Sequence, residues 1–326
     1  MGWQAIRGHD AARDQLRAAF VAGRLAHGFL FVGPAGVGKH AFATEFTKAL
    51  LCERPPAPLT ACDLCPACKQ VAAGSHPDLF TVRTPDDKHE LPVEVMRNFC
   101  IGLGRKATRG GRKVGLVETA DELNEESANC FLKTLEEPPA GTVLVLLGES
   151  ADAQLPTIRS RCQTVRFRPL ADADVRAVLL DHGVDPGRVS QLVALAGGRP
   201  GQAVALADEA VWAFRASLLD QLTDTRPDGP RLATELMKFV EEAGKESAAQ
   251  RERAAVAVSL IAEVLRDALR ASVGADGLPA VRALGERLGP DKLTDLLDAC
   301  LTAGEHIGRR VQLVLMAELL ADRLTK

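Results

Sequence analysis

The sequence lacks the segments that carry a protein into or across a membrane. None of its apolar runs approaches the roughly 18 residues of a transmembrane helix. The first residues, MGWQAIRGHDAARDQ, lack the apolar core of a signal peptide. We therefore expect no membrane partner and a cytoplasmic location, where the eight cysteines should be thiols or metal ligands rather than disulfides.

The chain also lacks low-complexity tracts, internal repeats and a strong excess of charge of either sign. Its formal net charge is −3, with 46% hydrophobic and 25% charged residues. This composition is typical of ordinary soluble proteins and does not by itself require a nucleic-acid partner. A length of 326 residues exceeds one compact core of typical size, so we expect two or three domains.

Strand-like and helix-like segments alternate up to about residue 168. The strand-like segments are GFLFV, KVGLV, TVLVLL and TVRF, and the first precedes a helix whose apolar face comprises Phe42, Phe46, Ala49 and Leu50. The alternation predicts an α/β domain, residues 1–168, with a mostly parallel sheet and helices on both faces. Residues 169–207 are predicted to form a small lid of two or three short helices, and residues 208–326 an all-helical C-terminal domain.

The segment GPAGVGKH, residues 33–40, fits the phosphate-loop pattern G-x-x-x-x-G-K up to its last letter. Backbone N–H groups of such a loop converge on phosphates, and Lys39 would add a positive charge. His40 replaces the Ser or Thr whose hydroxyl binds Mg²⁺, and an imidazole is a poor ligand for that cation. Binding of ATP or ADP stays open, and efficient hydrolysis is not expected. A purely structural interpretation is also possible, because the turn from strand to helix requires the backbone freedom of Gly33, Gly36 and Gly38.

The acidic element that completes such a site should follow a buried strand, with an Asp near Mg²⁺ and then a Glu that activates water. The strand KVGLV is followed by Glu118 and Thr119. Glu118 suits the first position, but a Thr at the second cannot act as a base. Asp121 and Glu122 come after the strand end, where a solvated helix start is the expected role of both.

Four cysteines form the compact pattern C-x9-C-x2-C-x2-C, at Cys52, Cys62, Cys65 and Cys68. Thiolates at these spacings suit a tetrahedral structural Zn²⁺ site that would stabilise the Pro-rich insertion, residues 52–68. A redox pair in CDLC is the main alternative, but it leaves the outer two cysteines without a role. The other cysteines are scattered and are expected to be core thiols: Cys100, Cys130, Cys162 and Cys300.

Two further segments resemble motifs of clamp-loader subunits. NCFLKTLEEPP, residues 129–139, is similar to their LLKTLEEPP segment, and LPTIRSRC, residues 155–162, contains their Ser-Arg-Cys motif. With GSHPDLF after the cysteine cluster, the chain resembles the delta-prime family of bacterial DNA polymerase III clamp-loader subunits, which are AAA+ proteins. The resemblance covers the α/β domain and the lid through specific motifs. It covers the C-terminal third through length and helical character alone.

The resemblance implies a pentameric assembly in which motor subunits of the gamma or tau type bind ATP, beside a delta subunit, a sliding clamp and primed DNA. It implies that this chain is a non-motor subunit, that Arg161, next to Ser160, is an arginine finger for a neighbour's ATP, and that the C-terminal domain joins a collar. A guanidinium supplied in trans accelerates other NTPases by on the order of 10³ to 10⁵. The competing interpretation of Arg161 is a surface ion pair.

Compared with motor subunits, the chain departs at four parts of the nucleotide site. His40 follows the loop lysine, and Thr119 takes the catalytic position. LGES, with Gly148 and Glu149, replaces a small polar sensor, and Gly201 stands where the lid usually carries an Arg. Arg199 lies nearby but out of register. We therefore expect that the chain does not hydrolyse ATP by itself.

Two other functions stay open. An active gamma- or tau-type ATPase would use Lys39 and Glu118 with an unconventional Mg²⁺ shell. A zinc-dependent nucleic-acid-binding module would use residues 52–68 as its surface and would bind DNA in a salt-sensitive way. The basic run GRKATRGGRK has no interleaved aromatic residue for stacking on bases, so a solvated loop is expected there.

Overall fold

The chain divides into two compact units, Met1–Ala203 and Val204–Lys326. The structure is a computed structural model that describes residues 2–109, 111–244, 247–275 and 278–325. Among these residues, no helix has both the length and the apolar character needed to cross a membrane. The separate lid and the boundary at residue 207 stay predictions.

The first unit is built on a parallel five-stranded sheet with the order β2-β3-β4-β1-β5. The strands are β1 (Gly28–Val32), β2 (Leu79–Val82), β3 (Lys113–Val117), β4 (Thr142–Gly148) and β5 (Gln163–Arg166). The predicted α/β fold with its parallel sheet is confirmed. Strand β2 was not predicted, because it is a short edge strand and three of its four residues are half-buried or exposed. It therefore lacks the apolar run of a central parallel strand.

Helices connect the strands and continue beyond the sheet. They are α1 (Asp10–Val21), α2 (Lys39–Leu51), α3 (Pro66–Ala72), α4 (Val93–Gly104), α5 (Glu125–Glu136), α6 (Pro156–Arg159), α7 (Asp172–Asp181), α8 (Pro186–Ala196) and α9 (Pro200–Leu206). The short helices α7, α8 and α9 are separated at HGVDPGR and AGGRPG, as predicted from their Gly and Pro residues.

Strand β1 is buried at every position, and its side chains alternate between two helical layers. Phe29 and Phe31 face α2, where the ring centroids of Phe31 and Phe42 are 5.6 Å apart. Leu30 and Val32 point to the other side, into a cluster with α4 and α5. The predicted helices on both faces are therefore confirmed. So is the predicted apolar face of α2, which is buried at Phe42, Phe46, Ala49 and Leu50.

The second unit is helical, as predicted. Its described helices are α10 (Glu209–Thr223), α11 (Gly229–Glu241), α12 (Ser247–Ser272), α13 (Pro279–Gly308) and α14 (Leu313–Thr325). The break predicted at LGPDK is a kink inside α13, where Gly289 has φ 71° and ψ 165° directly before Pro290. A proline removes one helical hydrogen bond, so a non-helical residue before it is expected.

Replacing Phe42 with Ala is expected to lower the free energy of unfolding by about 3–5 kcal/mol, because the ring is fully buried and its removal leaves a cavity. Ile101→Ala is the control, because that side chain is 56% exposed; a change of about 0.5 kcal/mol or less is expected there. Urea denaturation followed by circular dichroism measures both variants. Equal changes would contradict the assigned core.

Candidate functional site

The phosphate-loop segment joins the carboxyl end of β1 to the start of α2. Val32, the last residue of β1, pairs with Gly148 at the end of β4. This is the edge at which parallel sheets usually bind ligands. A Cβ at Gly33 would lie 2.3 Å from the carbonyl oxygen of Phe167, and Gly38 takes a left-handed conformation (φ 106°) at the N-cap of α2. Sterics alone therefore require glycine at these two positions.

The ammonium group of Lys39 is turned back onto the loop. Its Nζ donates hydrogen bonds to the carbonyl oxygens of Gly33 and Pro34, the latter at 3.0 Å. Burial lowers the pKa of Lys39, and the carboxylates of Glu149 and Asp121 oppose this shift. A bound phosphate would have to replace the two carbonyl contacts.

His40 and Glu118, which were predicted to lie beside the nucleotide, contact each other. Nε2 of His40 donates a hydrogen bond to Oε1 of Glu118 at 3.2 Å. This hydrogen bond raises the pKa of His40, while burial acts in the opposite direction. The carboxylate that would face Mg²⁺ in an ATPase is therefore already partnered by an imidazole.

Thr119, at the position of the catalytic Glu, joins the ends of two neighbouring strands. Its hydroxyl oxygen accepts a hydrogen bond from the backbone N–H of Thr84 at 3.0 Å and lies 2.9 Å from the Thr84 hydroxyl. Thr84 comes shortly after β2, and Thr119 shortly after β3. The side chain at this position thus has a structural contact instead of a basic group.

Asp121 lies in a short 3₁₀ helix, Ala120–Glu122, and is exposed as predicted, but its carboxylate also binds groups of the protein. It accepts hydrogen bonds from the backbone N–H of Glu149 at 2.7 Å and from the side-chain amide of Gln154 at 2.5 Å. Burial raises the pKa of Asp121, and both hydrogen bonds oppose that shift. Gln154 was not predicted, because only the folded chain brings it to a residue 33 positions away.

Helix α9 contacts the phosphate loop through backbone atoms. The N–H of Gly201, in α9, donates a hydrogen bond to the carbonyl oxygen of Gly36 at 2.8 Å. A Cβ at Gly201 would lie 3.1 Å from the Cα of Gly36. A long side chain at this position would require α9 to shift. Nε of Arg199, just before α9, donates a hydrogen bond to the carbonyl oxygen of Ala196, the last residue of α8, at 3.2 Å.

A buried histidine, His9, lies behind the loop and was not predicted as part of the site. Its Nε2 donates a hydrogen bond to the carbonyl oxygen of Val37 at 2.9 Å, which requires a proton on that nitrogen. The imidazole packs edge-on against Phe167, with ring centroids 4.7 Å apart. Burial lowers the pKa of His9, so its neutral form is favoured. The polar context RGHDAARD carries no periodicity that predicts this burial.

The four predicted metal ligands come together at one point. The Sγ atoms of Cys52, Cys62, Cys65 and Cys68 all lie within 4.8 Å of one another. Sulfur atoms about 2.3 Å from a tetrahedral ion would be about 3.8 Å apart. The Sγ atoms of Cys52 and Cys65 are 4.0 Å apart, so the cluster could hold a metal ion.

Backbone N–H groups point at the sulfur atoms of this cluster. The nitrogens of Cys62, Cys65 and Cys68 lie 3.4 Å from the Sγ atoms of Cys52, Cys62 and Cys65, respectively. Hydrogen bonds from the backbone of Leu64 and Cys65 lower the pKa of Cys62 to about 6. Burial raises the pKa of Cys52 and of Cys68. A bound cation would favour thiolate at all four positions, because metal binding requires deprotonated sulfur.

The cysteine segment is fastened to α2 and to the first residues of the chain. Nζ of Lys48, in α2, lies 2.7 Å from Oδ1 of Asp63 and also pairs with Glu45. The indole N–H of Trp3 donates a hydrogen bond to the carbonyl oxygen of Leu59 at 2.7 Å. Side-chain contacts therefore hold the segment in place beside α2.

The other four cysteines lie outside this cluster. Cys300 is buried, as predicted for a core thiol, whereas Cys100, Cys130 and Cys162 are half-buried and pack against the core. Burial raises the pKa of Cys162 and of Cys300 to about 12, so both stay protonated near neutral pH.

Arg161 lies at the amino ends of the sheet strands, and the phosphate loop lies at their carboxyl ends. It precedes β5, and its carbonyl oxygen is 3.1 Å from the position of a Cβ at Gly28, the first residue of β1. The loop follows the last residue of β1. The length of this strand, five residues at about 3.3 Å each, therefore separates Arg161 from the phosphate loop of its own chain.

The Arg161 side chain makes contacts within its own chain. Nε donates a hydrogen bond to Oε1 of Glu136 at 2.7 Å, and Nη1 donates to the carbonyl oxygen of Thr157 at 2.9 Å and to the hydroxyl of Ser160 at 3.1 Å. Ser160 is the C-cap residue of α6. The surface ion pair predicted by the competing interpretation is therefore present.

The contact between His40 and Glu118 should be visible in a pH titration. We expect the pKa of His40 to lie above the ordinary value of about 6.5 and to fall toward it in Glu118→Gln. Because the folded-state pKa is raised, the contact stabilises the fold fully below about pH 6.5, and this contribution is lost as the pH rises through the pKa of His40. NMR of the imidazole measures the shift, with Glu94→Gln, an exposed glutamate on α4, as the control. An unchanged pKa in Glu118→Gln would contradict the contact.

The sequence matches known replication proteins. The family model described as "DNA polymerase III, delta subunit" matches residues 8–171, half of the chain. The DNA polymerase III subunit delta' of Escherichia coli is 31% identical over 296 residues, which cover 88% of this chain and 85% of that protein. The subunit delta' of Pseudomonas aeruginosa is 39% identical over 197 residues, 60% of either protein.

The sequence also matches the DNA polymerase III subunit tau of Salmonella typhimurium. It is 34% identical over 213 residues, which cover 63% of this chain and 32% of the tau subunit. The match to the Escherichia coli delta' subunit extends further along both proteins, and the family model covers the segment that contains the phosphate loop, the cysteine cluster and Arg161. The chain therefore belongs to the delta-prime family of DNA polymerase III subunits.

Proposed function

We propose that this chain is a non-motor subunit of a DNA polymerase III clamp loader. It does not hydrolyse ATP by itself, and it supplies Arg161 to the ATP site of a neighbouring motor subunit of the gamma or tau type. Through this assembly, which also contains a delta subunit, it helps to load the sliding clamp onto primed DNA.

The position of Arg161 carries this proposal. Because β1 separates Arg161 from the phosphate loop, the guanidinium cannot reach a nucleotide bound in its own chain. Its side chain is 35% exposed, so another protein can approach it. An arginine in this place is suited to neutralising charge on a phosphoryl group held by a neighbouring subunit.

The contacts around the phosphate loop support a non-motor role. Lys39 binds loop carbonyls, His40 binds Glu118, and Thr119 binds Thr84. These are the positions that would contact phosphate, metal and water in an ATPase, and Thr119 has no group that can accept a proton from water. Gly33 and Gly38 keep the turn between β1 and α2, so the loop can hold ATP or ADP without hydrolysis once Lys39 leaves the two carbonyl oxygens.

An active gamma- or tau-type ATPase is the second candidate function. The 34% identity to the tau subunit of Salmonella typhimurium favours it. It would need Glu118 to leave His40 and bind Mg²⁺, and it would need a base other than Thr119. These two requirements make it the weaker candidate.

We further propose that the four-cysteine cluster binds one structural Zn²⁺. Four thiolates at these spacings are a usual zinc ligand set, and they fill the coordination shell, which leaves no position for a substrate. The backbone N–H groups near the sulfur atoms would stabilise the thiolates. Bound Zn²⁺ would link the end of α2 to α3 across the Pro-rich insertion.

The helices beyond residue 207 are proposed to join a collar of neighbouring subunits. Several large apolar side chains of α13 and α14 are exposed in the single chain: Leu301, Val314, Leu315 and Leu319. Contact with helices of other subunits would remove this apolar surface from water, which favours association.

Arg161→Ala is expected to slow ATP hydrolysis at the neighbouring subunit's site by on the order of 10³ in a reconstituted clamp loader. Single-turnover measurements with DNA would show this site as a separate slow phase. Arg159→Ala is the matched control, because Arg159 is also exposed and pairs with Asp152. ATP turnover by the isolated chain, or an intact assembly that is insensitive to Arg161→Ala, would overturn the proposed function.

Metal analysis of the fully reduced chain is expected to find about one Zn²⁺ per molecule. Cys68→Ser should lose the metal and make the segment around residues 52–68 sensitive to proteolysis, because one of four ligands is removed. Cys130→Ser, which changes a half-buried cysteine outside the cluster, should retain the metal. Much less than one Zn²⁺ per chain before any chelation would refute the zinc site.

A further inference from the structure

The guanidinium of Arg161 is held in one orientation by its own chain. Nε and Nη2 both contact Oε1 of Glu136, at 2.7 Å and 2.5 Å. Nη1 contacts the carbonyl oxygen of Thr157 and the hydroxyl of Ser160. All three nitrogens of the group therefore have partners within the chain.

Both ends of the contact between Arg161 and Glu136 are fixed to the core. Glu136 is the last residue of α5 and follows Leu135, which is fully buried and whose carbonyl oxygen is bonded to Nε2 of His27 at 3.0 Å. The backbone N–H of Arg161 donates a hydrogen bond to the carbonyl oxygen of Ile158, another fully buried residue, at 3.1 Å. The backbone of Glu136 and that of Arg161 are therefore both fixed by contacts with the core.

The two sets of contacts to Arg161 differ in strength. The contact with Glu136 joins two charged groups, whereas Nη1 contacts neutral oxygens. The Glu136 carboxylate attracts the guanidinium as an opposite charge, which a carbonyl or hydroxyl oxygen does not. A phosphate that approaches Arg161 would therefore displace the neutral contacts first, while Glu136 kept its contact with Nε and Nη2.

We propose that Glu136 is a positioning residue for Arg161, which holds the Nε side of the guanidinium so that the Nη1 side meets the phosphate of a neighbour's nucleotide. This inference rests on the proposed role of Arg161 in trans. A long, flexible side chain that is ordered in advance loses less entropy when it engages its target. Glu136 acts through Arg161 and does not contact the nucleotide.

Glu136→Gln tests this role, with Glu137→Gln as the matched control. Glu137 is the adjacent carboxylate, exposed like Glu136, at the C-cap of α5. In the reconstituted assembly, Glu136→Gln is expected to lower kcat at the neighbour's ATP site about twofold to fivefold with KM unchanged, because the loss of an exposed ion pair is modest and falls on the transition state. Glu137→Gln should change neither constant. Thermal unfolding of both variants checks that they fold alike.

Combining Glu136→Gln with Arg161→Ala separates the outcomes. If Glu136 acts through Arg161, the Glu136→Gln substitution causes no further loss of kcat when Arg161 is already replaced with Ala. A further loss in that background, a raised KM at unchanged kcat, or equal kcat for Glu136→Gln and Glu137→Gln would overturn the positioning role alone. If Arg161→Ala itself leaves turnover unchanged, the proposed function fails, and the positioning role fails with it.

Discussion

The burial of strand β1 is the constraint on which both functional regions depend. Its aromatic residues pack against α2, and its aliphatic residues pack into the cluster with α4 and α5. Parallel pairing with β4 and β5 then places the phosphate loop at the carboxyl ends of these strands and Arg161 at their amino ends. Arg161 therefore lies the length of a strand away from the phosphate loop of its own chain.

The polar groups around the phosphate loop bind one another. In an ATPase, the polar side chains beside a phosphate loop have phosphate, metal and water as partners. In this chain, protein groups supply them: Glu118 binds His40, and Asp121 binds Gln154. Thr119 likewise contacts Thr84. This contact joins the segments that follow β2 and β3.

Helix α2 is held at both ends. At its start, the loop before it contacts Gly201 through a backbone hydrogen bond, and His9 binds the carbonyl oxygen of Val37. At its other end, Cys52 is the C-cap residue and belongs to the four-cysteine cluster, while Lys48 binds Asp63. Contacts at both ends therefore fix this helix to the rest of the first unit.

The sequence determined the elements that local patterns encode: four of the five strands, the apolar face of α2, the phosphate loop and the four-cysteine cluster. Hydrophobic runs, glycine spacing and cysteine spacing are set by neighbours along the chain, so they can be recognised without coordinates. Only the tertiary structure decided which groups meet across long separations. The burial of His9, the bond between Asp121 and Gln154, and the contact of Glu136 with Arg161 depend on how the strands are ordered, and no local pattern records that order.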